Sequence, residues 1–428
     1  MNRAGVWRRS RLSESAEQSA WHRLSDAQPW LLWQENACLP ARSPLSDCRA
    51  CSQACPVDAL TATPKGPQLT GDCVACGRCT AACPTGAING AGLDSHPGDD
   101  QATAPLAVDC WRVPPEQSPE GALRVPCLGG LGSDRLLRLV QECGERPVEL
   151  LDRGWCADCP AAADCRRPPV DQALTECREA LASLGLTGRS PSLRKAPLPA
   201  HLYRRETPTP GGETRVSRRG LFRRLAGHAA GAAEQIQGTG PAAPAAVPMV
   251  SGRVQPAPRL RRVEALAALA VAQDQSLPNT LFPQAKISDA CCNHRICAAL
   301  CPTGALQPVE DEDGSGLDYD PLFCIRCGLC QQVCPEKAIT ITERDGHPYV
   351  GRVPATRHHR QRCQRCHTTF TAGKEHTLCP GCRKDAALAQ DSGRDLLFGA
   401  GSSSGAAGPA QDPGTQPGDH DDQEDTRR

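Results

Sequence analysis

The 428-residue chain carries 27 cysteines, and they are not scattered. Eight lie within residues 38–83, seven within 110–177, eight within 291–334 and four within 363–382. A chain that used cysteine as a small buried hydrophobe would spread it more evenly, so the grouping predicts metal sites built from thiolates. The spacings sharpen that expectation. Cys73-x2-Cys76-x2-Cys79-x3-Cys83-Pro84 recurs as Cys324-x2-Cys327-x2-Cys330-x3-Cys334-Pro335. Three thiolates two residues apart on one tight turn can reach three iron corners of one cubane. The fourth lies beyond the turn, points away and serves a neighbouring cubane, and the proline after it sets the exit of the chain. Two further Cys-Pro units, Cys55-Pro56 and Cys301-Pro302, complete two copies of a two-fold repeat.

In these motifs the chain resembles bacterial two-cluster ferredoxins over about residues 38–90 and 285–345. The resemblance implies [4Fe-4S] clusters with crossed ligation: Cys73, Cys76, Cys79 and Cys55 for one, Cys324, Cys327, Cys330 and Cys301 for another. Both partner clusters depart from the family pattern. In the first module Leu45 stands where a thiolate belongs, so Cys48, Cys51 and Cys83 need a fourth ligand, expected to be Cys38 returning over a loop with Pro40 and Pro44. In the second, Cys291, Cys292, Cys297 and Cys334 are expected around the remaining cluster. His294 takes the usual second-ligand position there and is read as a solvent-facing residue; imidazole ligation, which would raise the potential, is the alternative.

Residues 105–186 alternate short apolar runs with helical spacing, a small α/β pattern. Cys143 and Cys177 sit on apolar helix faces and are expected in the core. Cys110, Cys127, Cys156, Cys159 and Cys165 fall at or just past strand ends, the edge where open α/β sheets collect ligands. Cys127, Cys156, Cys159 and Cys165 are expected to hold a further iron–sulfur cluster or zinc. The block resembles the small iron–sulfur subunits that accompany some hydrogenases and heterodisulfide reductases. Near the C-terminus, Cys363-x2-Cys366 and Cys379-x2-Cys382 have zinc-ribbon spacing, in which one Zn²⁺ replaces a missing core; rubredoxin-like iron would use the same geometry. The basic residues Arg357, His358, His359, Arg360, Arg362 and Arg365 beside it lack interleaved aromatics, so a solvated basic face is expected rather than a nucleic-acid surface.

The rest of the chain must position these thiols. It has only 6 Trp, 3 Tyr and 5 Phe against 39 Gly and 39 Pro, which disfavours one large core, and its 48 basic and 48 acidic side chains disfavour bulk polyanion binding. No apolar run reaches membrane-spanning length, and residues 1–40 lack a secretory signal, so the thiols are expected reduced in a cytoplasmic protein. The expected organisation is α+β and modular. An N-terminal extension (1–37) precedes a dicluster ferredoxin module (38–90), the small α/β metal module (105–186) and a linker (187–258). A second dicluster module with a preceding helix (259–350), a zinc ribbon (357–390) and a disordered tail (391–428) follow, with Gly/Pro-rich linkers between modules.

Within the linker, Ser217-Arg218-Arg219-Gly220-Leu221-Phe222-Arg223-Arg224 lies mid-chain before a polar stretch, which argues against an export signal. The octet resembles the opening of the ferredoxin-type accessory protein of the periplasmic nitrate reductase system, and the resemblance implies docking to a partner such as a molybdoenzyme. The turn at 127–132 has the wrong spacing for a dinucleotide fingerprint, and no small-molecule substrate is evident. The function expected is single-electron relay through about four [4Fe-4S] clusters, for redox partners that include a molybdenum oxidoreductase. An accessory or maturation factor for such an enzyme is the alternative.

Overall fold

The computed structural model describes residues 21–26, 28–97, 104–162, 167–204, 252–312, 314–344, 349, 351–373 and 376–390. It divides into two compact units, one comprising residues 1–361 with 371–376, the other 362–370 with 377–428.

The first unit opens with β1 (His22–Arg23) and β2 (Leu31–Trp33), the short helical turns α1 (Leu39–Arg42) and α2 (Ala50–Gln53), and a hairpin of β3 (Leu60–Thr63) and β4 (Gly66–Leu69). Next come α3 (Arg78–Ala82) and β5 (Ile88–Gly90), which pairs antiparallel with β2. Short helical turns alternate with two-residue Cys-Pro exits because each exit needs a sharp reversal. The third residue after each of the four Cys-Pro cysteines of the ferredoxin-type repeats is left-handed: Asp58 (φ 49°), Gly86 (φ 74°), Gly304 (φ 68°) and Lys337 (φ 51°). The sequence repeat is therefore also a backbone repeat, kept even where the residue is not glycine.

The α/β block follows. Its sheet is wholly parallel, in the order β7 (Leu123–Val125), β6 (Leu106–Cys110), β8 (Val148–Asp152), β9 (Ser192–Lys195), with α4 (Ser133–Cys143) and α5 (Asp171–Ala182) in the crossovers. Strand β9 lies inside the stretch expected to be linker. It adds a fourth strand because Leu193 packs onto the core opposite Leu150. Leu136, Leu139, Val140, Leu174, Cys177 and Leu181 form the buried helical face, as their spacing requires, and Cys143 packs against it half-buried. At the carboxyl edge, Arg153 donates to the fully buried Asp109 at 2.7 Å, locking the ends of β6 and β8 together.

After residue 252, α6 (Ala257–Ala272) precedes β10 (Gln284–Ile287), α7 (Ile296–Ala299), β11 (Leu306–Glu310), β12 (Gly314–Tyr319), α8 (Leu329–Gln332), β13 (Ile339–Thr342) and β14 (Val353–Arg362). β10 pairs with β13, while β11, β12 and β14 run antiparallel side by side.

The expected modules pack against one another. Trp30, Leu31, Leu60 and Ile88 share one continuous core with Leu106, Val108, Leu136 and Leu150. Helix α6, expected to precede the second ferredoxin module, buries Ala265, Leu266, Leu269 and Ala270 in that same core. Arg261 pairs with Asp134 at 2.8 Å, and Arg259 donates to the carbonyls of Pro321 and Leu322 at 2.8 and 2.6 Å. The helix thus joins the second module to the first two. With few aromatics available, the first module, the α/β block and α6 pool their leucines in one core, while Leu306, Leu317, Tyr319 and Ile339 form a smaller core of the second module's own.

The second unit holds the four C-terminal cysteines and α9 (Pro380–Gln390). Arg357, His358 and His359 lie in β14, registered against β12. Arg357 pairs with Asp318 at 2.7 Å and His358 is buried, so part of the expected basic face is structural.

Candidate metal centres

The first module brings Cys38, Cys48, Cys51 and Cys83 together. Leu45, in the vacant ligand position, is solvent-exposed, while Cys38 at the start of α1 is buried beside Cys83 in a small cluster with Ala37, Ala87 and Val254. The Cys38 thiol is pushed up to about 12, chiefly by burial, with Cys83, Cys51 and Cys48 adding to the shift. A second set forms from Cys55, Cys73, Cys76 and Cys79. Cys79 is raised well above its ordinary value, first by burial and then by Cys76, Cys73, Cys51 and Cys55. Cys51, from the first set, thus lies within electrostatic reach of Cys79, from the second.

In the second module Cys301, Cys324, Cys327 and Cys330 gather. Burial pushes Cys330 up to about 12, with Cys327, Cys324, Cys301 and Cys297 adding to the shift. Cys297 belongs to a further group with Cys291 and Cys334; burial and these two neighbours push it up to about 11. Cys292 is buried, and its Sγ contacts the Ala290 carbonyl and His376 Nε2, each at 3.3 Å. His294 is only a quarter exposed, not turned to solvent as expected, and its Nδ1 lies 3.3 Å from Glu336 Oε2.

In the α/β block Cys110 joins three of the expected thiols, Cys127, Cys156 and Cys159. Cys110 ends β6, Cys127 follows β7, and Cys156 and Cys159 follow β8, so three parallel strands deliver four thiols to one carboxyl edge. Burial pushes Cys110 up to about 11, and Cys159 is among its neighbours. Burial pushes Cys156 up to about 12, with Asp152, Cys110 and Cys159 contributing. Cys127, also raised by burial, senses Cys110, Cys76 and Cys156. Cys165, expected as the fourth member, lies outside the described residues. Cys110 could have been found from the strand pattern, since it is the residue at which β6 leaves the sheet.

This edge abuts the first module. Cys76, Cys127 and Ala161 pack in one buried cluster, Arg112 Nη2 donates to the Val74 carbonyl at 2.8 Å, and Arg78 Nη1 to that of Ala161 at 3.2 Å. A Cβ on Gly130 would stand 2.9 Å from the Cys76 carbonyl oxygen, so only glycine allows the two loops this approach.

The donor chemistry suits iron–sulfur clusters. The thiols are screened from water, and backbone N–H groups point at sulfur: Ala75 to Cys73 (3.4 Å), Ala59 to Cys55 (3.3 Å), Gly129 to Cys127 (3.4 Å), Arg112 to Cys110 (3.4 Å) and Ala338 to Cys334 (3.3 Å). Such bonds stabilise thiolate ligands and help set cluster potentials.

In the second unit, the sulfurs of Cys363, Cys366, Cys379 and Cys382 all lie within 4.8 Å of one another. The Cys379 and Cys382 amides donate to the sulfurs of Cys363 and Cys379 at 3.3 and 3.4 Å, the turn pattern of a two-knuckle site.

The family model described as a 4Fe-4S dicluster domain matches residues 46–87, and that of a 4Fe-4S binding domain matches residues 317–340. No curated protein matches the chain. Two ferredoxin-type 4Fe-4S domains are therefore present, and they support iron–sulfur binding, electron transfer and redox partners in general. The irregular stretch Cys291–Cys301 falls outside both matches.

Proposed function

We propose that the chain is a multicluster electron carrier. Its cysteine sets hold four [4Fe-4S] clusters in the ferredoxin-type modules and a fifth at Cys110, Cys127, Cys156 and Cys159, and Cys363, Cys366, Cys379 and Cys382 hold zinc. When bound, each cubane takes up and returns a single electron. The observation that carries this reading is contiguity. Cys127 packs with Cys76 in one buried cluster, and Cys51 and Cys297 lie near enough to raise Cys79 and Cys330 electrostatically, so neighbouring sets lie close together. Between the two ferredoxin-type modules stands Arg42, in the field of Cys301 and hydrogen-bonded to the Asn36 and Gly252 carbonyls at 2.6 Å. The protein's part is to hold these sets close, exclude water and aim amides at sulfur.

Iron, acid-labile sulfide and zinc analysis of the anaerobically purified full chain tests this, with about 20 iron and one zinc expected per chain. Magnetic coupling between reduced clusters in EPR is the matching signature. Four clusters' worth of iron, unchanged by Cys110→Ser with Cys127→Ser, would remove the fifth site.

A molybdenum-dependent oxidoreductase is the proposed partner, supported by the Ser217–Arg224 octet, which lies outside the described residues. Transfer from the reduced chain to such an enzyme supports the relay; capture of its immature form without transfer favours the accessory role. No helix among the described residues is long and apolar enough to cross a membrane.

A further inference from the structure

We infer that His294, not Cys292, completes the cluster site of Cys291, Cys297 and Cys334, giving it three thiolates and one imidazole; this rests on reading those three cysteines as cluster ligands. The backbone carries the argument. In the regular motifs a left-handed residue stands two and four places after the first cysteine: Ala75 (φ 53°) and Gly77 (φ 74°) after Cys73, Arg326 (φ 54°) and Gly328 (φ 75°) after Cys324. A helical turn then starts five places on, at Arg78 and at Leu329. From Cys291 the same trace repeats: Asn293 (φ 57°), Arg295 (φ 60°), then α7 from Ile296. Non-glycine residues seldom adopt this conformation, so Asn293 and Arg295 mark a ligand loop in full register.

In that register His294 occupies the place of Cys76 and Cys327, and Cys292 the place of Val74 and Ile325, which are not ligands. The side chains agree. Cys292 Sγ is engaged by His376 Nε2 and the Ala290 carbonyl. His294 Nδ1 rests on Glu336, two residues past Cys334. Metal-binding imidazoles commonly give their second nitrogen to a carboxylate, which fixes the tautomer and leaves Nε2 for the metal. An imidazole in place of a thiolate removes negative charge from the cluster, so this site has the highest potential of its module.

The test is pulsed EPR on the reduced full chain labelled with ¹⁵N-histidine, with iron content and potentials measured alongside. Expected are a histidine nitrogen coupling on one cluster, its loss in His294→Cys with iron unchanged, and a shift of that cluster to lower potential. Cys292→Ser should alter none of these. Intact iron with no histidine coupling, or iron lost from Cys292→Ser and not from His294→Ala, overturns the assignment. The sulfur of Cys292, a ring nitrogen of His294 and an oxygen of Glu336 also lie within 4.8 Å of one another. Loss of a single non-cluster metal ion from His294→Ala, with every potential unchanged, would overturn it too. A full chain lacking this cluster's iron and sulfide would instead defeat the cluster reading beneath it.

Discussion

In the proposed assignment Cys38 and Cys110 are single thiols on which whole sites depend. Cys38 sits ten residues before Cys48 and closes a set whose regular position is held by exposed Leu45. Cys38→Ser should convert one cubane to a three-iron form, visible as an EPR signal in the oxidised chain, with the other sites unaltered. Cys110→Ser should cost the α/β block its cluster, a loss of about four iron per chain. The raised thiols also set a pH dependence. Unfolded thiols ionise near the ordinary value of 9.0, whereas in the metal-free fold burial holds Cys110 protonated to about 11 and Cys156 to about 12. Over that window the unfolded state binds fewer protons than the native one, so metal-free stability falls as pH rises through it. In the loaded chain the ligands are already thiolates and this slope should vanish. Thermal melts of both forms at about pH 8 and about pH 11 would check the sign.

At the scale of elements, metal dependence should differ between the α/β block and the C-terminal site. The block buries a full set of leucines between α4, α5 and its sheet, so it has a hydrophobic reason to stay folded without metal. Around the four C-terminal thiols, the buried side chains are chiefly Cys363 and Cys382 themselves. A strong zinc chelator should therefore abolish amide-exchange protection over residues 363–382 and leave that of 133–143 and 148–152 intact. The loop after β7 offers a second test. Gly130→Val drives a side chain into the Cys76 carbonyl and should part the Cys127 and Cys76 loops. Magnetic coupling between their clusters should weaken with total iron nearly unchanged. The α/β strands and helices were legible because apolar spacing is local. Strand β9 was not, since its Ser-Leu-Arg-Lys run has one apolar residue and becomes a strand only by pairing with β8.

Across the whole molecule, Arg42 and α6 tie the two ferredoxin-type modules into one unit. Arg42→Ala removes the charge-assisted hydrogen bond to the Gly252 carbonyl, along with a local one to Asn36, and should weaken this packing by about 1 kcal/mol. Passage of electrons from one module to the other should slow while each cluster's potential holds, which stopped-flow reduction followed by rapid-freeze EPR would show. Cysteine spacing by itself determined that two ferredoxin-type repeats exist and which sets are regular, because a cubane needs several thiolates on one short turn and so writes its requirement into adjacent residues. It also marked Cys38, the one unassigned thiol near an incomplete set. Only the tertiary structure brings Cys110 to Cys127, Cys156 and Cys159, sets Cys292 against His376 with left-handed residues on either side of His294, and gives the first module and the α/β block a common core. Those outcomes depend on strand order, on φ at single residues and on helix packing. Each joins residues far apart in the chain or turns on a backbone angle, and neither leaves a periodic trace in sequence.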